Sequence, residues 1–336
     1  MPQGSANLQS RACIRSVACR AKRHTVSPVP PEDDPQQRRA VPRPLGRPDA
    51  GTFRVGLSGW QYDSWRGDFY PQRLARRRWL EHVGERFPTV ELNGSFYSLQ
   101  RPARYRAWRE SVPDGFRFAV KGGRYLTHML RLRNTRTALA NFFASGVLEL
   151  GDRLGPVLWQ LPADFAPDPA VLDGFCALLP RTVGAAAALA TEHDDKLRLD
   201  PGDTEPSGQT DATVPPGTAI RYAFEVRSAA ATTGAHLAVL RRHGIALVDS
   251  DAGAAWPRFD LPTADDLAYL RLHGSPVVYH SGYSPGSLRH WADRVEEHLA
   301  AGRDTWVFFD NDADRHAPWN ALALDALVAD RLRRRA

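Results

Sequence analysis

Short apolar runs recur along the chain at intervals that leave room for one helix between neighbours, and each run ends in polar side chains that a core would not need. Eight of them read as strands: 53–58, 89–92, 116–120, 156–160, 220–226, 245–248, 268–272 and 305–309. Helical spacing fills several of the gaps. Over 73–87 it places Leu74, Leu80, Val83 and Phe87 near one face, and similar stretches lie at 134–148, 235–242, 285–300 and 319–333. Pro162 ends the fourth strand. Eight strand-helix units in about 280 residues fit a closed barrel better than an open doubly wound sheet. No Gly-x-Gly-x-x-Gly joins a strand to a helix, which weakens a nucleotide-binding sheet. The expected fold is therefore α/β, a TIM-like (β/α)8 barrel of parallel strands over residues 51–336. Its trailing polar residues would then meet at one mouth.

The ends and one interior stretch depart from this rhythm. Residues 1–50 are rich in Pro and Arg and are expected to form a disordered tail, or to reflect a mis-assigned start. The part before Glu32 lacks acidic residues, as transit peptides do, but no secretory apolar segment follows it. Residues 194–217 turn to Asp, Pro, Gly, Thr and Ser and read as a mobile surface insertion, because the strand-helix alternation resumes after them.

Charge is divided along the body of the chain. The formal net charge is +6 overall, yet residues 51–136 hold 17 basic and 7 acidic groups, whereas 137–330 hold 14 and 27. One side of the barrel would be electropositive and able to steer an anion, or simply a solvated Arg-rich surface. Cys13, Cys19 and Cys176 are too few for a disulfide framework or a zinc site, which points to the cytoplasm. The longest apolar stretch, 183–190, is too short to span a bilayer, so no membrane partner is expected.

The strand ends carry the candidate chemistry. Glu91 and Asn93 alternate on one strand face, a carboxylate for base chemistry with an amide to orient it; a structural ion pair is the competing role for Glu91. Lys121 closes the third strand and would pair with an anion or, if buried, form a Schiff base. Glu225 with Arg227, Asp249, and Arg271 with His273 complete a ring of mixed sign suited to proton transfer beside a developing oxyanion. Trp60 and Tyr62, behind Gly59, suit a stacking surface, or else a packed loop over the barrel end. His128, Gln160, Tyr283 and Asn311 are the remaining substrate-binding candidates. Carboxylates plus His273 would also accept Mg²⁺ or Mn²⁺, although no diagnostic metal spacing is present. Asp310 and Asp312 after the eighth strand argue against the phosphate site that barrels often build there.

Several of these stretches resemble one family. Gly56-Leu57-Ser58-Gly59-Trp60 with Phe69-Tyr70-Pro71, Glu91-Leu92-Asn93, Phe118-Ala119-Val120-Lys121 with Thr127-His128, Leu158-Trp159-Gln160-Leu161-Pro162, Phe224-Glu225-Val226-Arg227, Arg271-Leu272-His273-Gly274 and Tyr283-Ser284 are similar to the YecE-like family, a domain of unknown function. The resemblance covers residues 53–330 and implies a TIM-like barrel without implying a reaction. Two departures stand out. Ser228-Ala229-Ala230 follows Arg227 where the family tends to carry a His and then a Trp, and Asp310 stands where an Asn is usual.

The leading expectation is an enzyme performing acid/base chemistry on a small polar anionic or polyhydroxylated substrate. Glu91 or Glu225 would act as base, His273 as acid, Lys121, Arg227 and Arg271 as charge stabilisers, and Trp60 with Tyr62 as the stacking surface. Competing readings are a nucleic-acid-binding or nuclease-like protein and a non-catalytic metabolite sensor. The oligomeric state is not encoded in any of these patterns.

Overall fold

The computed structural model describes residues 44–46, 51–197 and 214–335. Most of the expected tail and residues 198–213 of the expected insertion lie outside the described residues. A short β1 (Leu45–Gly46) pairs antiparallel with the start of β2 (Thr52–Ser58), so part of the stretch assigned to the tail joins the sheet.

The barrel continues through β3 (Thr89–Leu92), β4 (Arg117–Lys121), β5 (Leu154–Gln160), β6 (Tyr222–Glu225), β7 (Ala246–Leu247), β8 (Asp249–Asp251), β9 (Leu267–Leu272) and β10 (Asp304–Phe309). All neighbours from β2 onward are parallel, in the order β7-β6-β5-β4-β3-β2-β10-β9-β8. The expected sixth strand, 245–248, becomes β7, and after Val248 the chain resumes as β8 beyond that strand's expected end; the two pieces pair with β6 and β9 respectively. The ring closes through that change of partner, which removes exposed strand edges.

Helices cover the outside: α1 (Trp79–Gly84), α2 (Gly94–Tyr97), α3 (Pro102–Glu110), α4 (Arg136–Ala144), α5 (Pro169–Leu178), α6 (Val183–Ala190), α7 (Gly234–Arg242), α8 (Pro285–Ala300) and α9 (His316–Arg335). The expected helices over 73–87 and 134–148 are shorter, each passing into 3-10 turns. Asp168, Thr182 and Ser284 each cap the helix that follows by accepting a backbone N–H. Among the described residues no helix is long and apolar enough to cross a membrane.

Strand alternation sorts side chains into two cores. Phe118, Val120, Val157, Leu270 and Phe309 point outward to pack against helices. Ala119, Leu158, Ala223, Ala246, Tyr269, Trp306 and Phe308 fill the interior, the alanines leaving room for the rings of β9 and β10. This plug separates the two barrel ends, so chemistry at one is insulated from charge at the other.

Candidate functional site

The next inward positions after the plug are polar on nearly every strand: Ser58, Glu91, Lys121, Gln160, Glu225, Ser250, Arg271 and Asp310. Arg271 sits at their centre, 1% exposed. It donates through Nε and Nη2 to the two oxygens of Glu91 at 3.1 and 2.7 Å, and through Nη1 to Glu225 Oε2 at 2.7 Å. Nη2 also reaches Ser58 Oγ at 2.9 Å and Asp310 Oδ2 at 3.2 Å. The planar fork thus binds three carboxylates that would otherwise repel one another.

Glu91 and Glu225 lie behind this guanidinium, both 0% exposed, instead of on a cavity wall. Glu91 also accepts from Ser58 Oγ and from the Tyr269 hydroxyl, each at 2.7 Å, which fills its four lone-pair positions. Glu225 takes further hydrogen bonds from Arg227 Nη2 and Ser250 Oγ. Burial pushes the Glu225 carboxyl up, but Arg227, Arg271 and His273 outweigh it and hold it well below the usual range. Both glutamates are held in place by these donors, and the base role expected of either has no approach to the cavity.

His273 is also fully buried. Its Nε2 faces Glu225 Oε1 at 3.1 Å, and Nδ1 lies 2.8 Å from Asp310 Oδ2 without hydrogen-bond geometry. Asp310, despite its burial, is held down to about 2 by Arg271, His273 and Lys121. The acid that stands where the resembling family has an Asn is therefore part of the network. Trp256 stacks on the Arg227 guanidinium at 3.9 Å, so an aromatic from a later loop covers the arginine that lacks the family's following Trp.

In front of Arg271 opens a cavity of about 800 Å³. Its wall includes the expected Trp60, Tyr62, Asn93, Lys121, His128, Gln160, Arg227 and Arg271. Gly59, with φ of 97°, makes the turn that brings the Trp60 loop over the mouth. Gln160 Oε1 accepts from Arg227 Nη2 at 3.2 Å, and Asn93 Nδ2 donates to Ser58 Oγ at 3.0 Å. His128 comes from a π-helical turn, Tyr125–Met129, and accepts or donates to Thr127 Oγ1 at 2.9 Å. Burial and the Arg124 and Lys121 charges push its imidazole down.

Lys121 is the most deeply buried of the charged groups on the cavity wall that have no ion pair among the described residues, Arg124 being exposed and Asp312 half-buried. It is 8% exposed and lines the cavity, its amine makes no hydrogen bond or ion pair among the described residues, and its ammonium lies 4.3 Å from the Phe96 ring centroid. Burial and then the Arg271 charge push the amine down to about 8, with Glu91, Glu225 and Asp310 pulling only part of the way back. No carboxylate of the described residues pairs with the Lys121 amine. Gly122 follows because a Cβ there would lie 2.0 Å from the Trp159 ring.

Three expected site residues lie elsewhere. Asp249 faces out of the barrel, since Ser250 takes the inward position, and is chelated by Arg258 at 2.6 and 2.8 Å. Asn311 holds the Ser281 carbonyl and Asn320, and the Tyr283 hydroxyl accepts from Gly274 N; both are loop supports. Conversely, Asp312 lines the cavity without having been singled out for a role there. Burial, with the nearby Asp310 charge, pushes its carboxyl up to about 6. The Asp-Asn-Asp run ending β10 was the sequence signal for it. Among the described residues no group of three His, Cys, Asp or Glu side chains is arranged to hold a metal ion, and Arg271 stands where Glu91, Glu225 and Asp310 would meet a cation.

Comparison with known proteins adds the family. A profile described as "Protein of unknown function DUF72" matches residues 54–335. The chain belongs to the DUF72 family. It is 32% identical over 113 residues to the UPF0759 protein YecE of Escherichia coli K12, and 30% identical over 117 residues to UPF0759 protein YunF of Bacillus subtilis 168. These matches cover 34% and 33% of this chain and span only 39% and 40% of those relatives' lengths. A DUF72 family protein from Thermotoga maritima MSB8 superposes with a TM-score of 0.63 at 23% identity, covering 82% of this chain and 99% of that one. Another from Enterococcus faecalis V583 gives 0.62 at 16% identity, covering 82% and 95%. These two share the fold, in agreement with the barrel expected from the sequence.

Proposed function

We propose that this DUF72 protein is an enzyme performing acid/base chemistry on a small polar substrate, anionic or polyhydroxylated, at the C-terminal mouth of the barrel. The observation that carries the reading is that one cavity is lined by Lys121, depressed to about 8, and Asp312, raised to about 6. Between those values the carboxylate can take a proton and the ammonium can give one, which is the protonation state a paired acid and base need near neutral pH. The buried network behind Arg271 supplies rigid electrostatics for it. Gln160, Arg227 and Asn93 offer hydrogen bonds to hydroxyl groups, Asn93 Oδ1 having no partner of its own among the described residues. Arg104 and Arg124 line the same cavity and suit an anionic group.

The test is solvent exchange. The protein is incubated in D2O with short polyols, hydroxy acids and sugar phosphates, and loss of substrate C–H signals is followed by NMR. Exchange should follow a bell with limbs near pH 6 and 8, and Asp312→Asn should slow it about 10²- to 10⁴-fold. Absence of exchange or any covalent change across the whole set would sink the reading.

A further inference from the structure

We infer that Lys121 acts covalently, forming an imine with the carbonyl carbon of an aldehyde or ketone that also carries hydroxyl groups and an anionic group. The inference rests on the acid/base reading of the same cavity and narrows its substrate class.

Composition makes Lys121 conspicuous. Of the chain's 44 Lys and Arg residues, only Lys22, Lys121 and Lys196 are lysine. Where this protein needs a buried cation it uses arginine, as at Arg271 and Arg227. Arginine makes the better partner for carboxylates but does not surrender its proton, whereas lysine can become a neutral nucleophile. An amine in a cavity wall, surrounded by arginines elsewhere in the network, is the one cation there able to attack a carbon atom.

Its surroundings suit that use. The amine is nearly buried, lacks a carboxylate partner among the described residues, rests on the Phe96 ring and stands beside the Arg271 charge. Burial and a neighbouring cation are the two conditions that favour the neutral form of a lysine, and both outweigh the pull of the Phe96 ring face on the ammonium. The Lys121 backbone carbonyl accepts from Ser95 Oγ at 2.6 Å, which fixes the strand end that presents it.

The step balances without an oxidant or reductant. The neutral amine adds to the carbonyl carbon, forming a C–N bond as the C=O π pair moves to oxygen. That oxygen takes one proton and the nitrogen loses one, giving a carbinolamine; a second proton lets the hydroxyl leave as water and the iminium forms. Of the two carboxyls on the cavity wall, Asp310 is held by Arg271, and Asp312 is the one suited to shuttle these protons. The iminium draws electrons from the adjacent carbon and so acidifies its C–H, which links the covalent step to proton exchange. Water returning to the iminium releases the amine.

The full chain is incubated with dihydroxyacetone phosphate, glyceraldehyde 3-phosphate or glyceraldehyde in the presence of sodium cyanoborohydride, and lysine peptides are measured by mass spectrometry. The expected result is labelling of Lys121 at least about tenfold above Lys22 and Lys196, rising about tenfold per pH unit below pH 8 and then levelling as the amine becomes neutral. Lys121→Arg should lose the label while keeping the charge. Labelling of Lys121 no faster than of Lys196, or none with any of the three probes, overturns the proposal. If C–H exchange persists while Lys121 stays unlabelled, the covalent role fails and the acid/base reading stands. Labelling of Lys121 without exchange supports the imine and removes Asp312 from proton abstraction.

Discussion

The two ends of the barrel are both built from buried or half-buried charge, yet they are organised on opposite principles. At the N-terminal end Asp304 accepts from Thr52 N and Oγ1 at 2.8 and 2.6 Å and from Arg221 Nη1 at 2.8 Å, while Arg54 lies 5.1 Å over the Trp306 ring. This acid at the start of β10 is shared among donors from β2 and from the residue preceding β6, and the cluster staples the strand starts together. At the C-terminal end one guanidinium serves three acids, and an amine is left over facing a cavity. The lower end closes its acid on neighbouring donors and seals Arg54 against an indole, whereas the upper end leaves an amine facing a cavity. That difference separates a structural cluster from one arranged to meet a ligand.

Removing the hub should show the contrast most strongly. Arg271→Met would leave Glu91, Glu225 and Asp310 buried beside one another without their shared cation. A loss of about 3–5 kcal/mol is expected, measured by urea unfolding at neutral pH. A loss below about 1 kcal/mol would mean that water reaches those carboxylates and that the upper end is not the closed network described.

The Lys121 amine should respond with the opposite sign. A lysine whose folded pKa lies below its unfolded value binds its proton more weakly in the native state. Its burial therefore costs stability when both states are protonated, below about pH 8, and nothing when both are neutral, above about pH 10.5. Lys121→Met should stabilise the protein by about 1–3 kcal/mol at pH 7, and the gain should vanish as pH rises through that window. Destabilisation at pH 7 would reveal a counter-charge on the amine and remove the basis for treating it as free.

The upper end was only partly legible in the sequence. Strand positions could be read because each run is apolar on both faces, one toward helices and one toward the plug, and the polar residues that end them mark the mouth. Glu91, Lys121, Glu225, Arg271 and His273 followed from that. Asp249 did not, because its side depends on parity: Val248 and Ser250 point inward, so their neighbour points out. The resumption of the sixth strand as β8 was hidden for a similar reason, since it arises where the ring closes and not in any local pattern. Which acid is saturated and which amine is free depends on the reach of Arg271 across four strands. The scarcity of lysine, however, was visible from the start and would have set Lys121 apart before any geometry was known.

The smallest effect belongs to the lower end, and its pH dependence should mirror that of Lys121. Burial raises the Asp304 carboxyl, but the Thr52 hydrogen bonds and Arg221 outweigh it, leaving a pKa below the ordinary value. A depressed carboxylate contributes stability above its unfolded pKa of about 3.9 and loses it as pH falls through the folded value. Asp304 and Arg221 are partly exposed, so solvent screens the pair. Asp304→Asn, which keeps an acceptor for Thr52, should cost only about 0.5–1 kcal/mol at pH 7. The gap from the parent protein should close on acidification below about pH 3.9, whereas the gap made by Lys121→Met opens as pH falls from about 10.5 to 8. Equal slopes of the same sign for the two variants would show that both ends hold their charges in the same way, and the distinction on which the functional reading of the upper end depends would be lost.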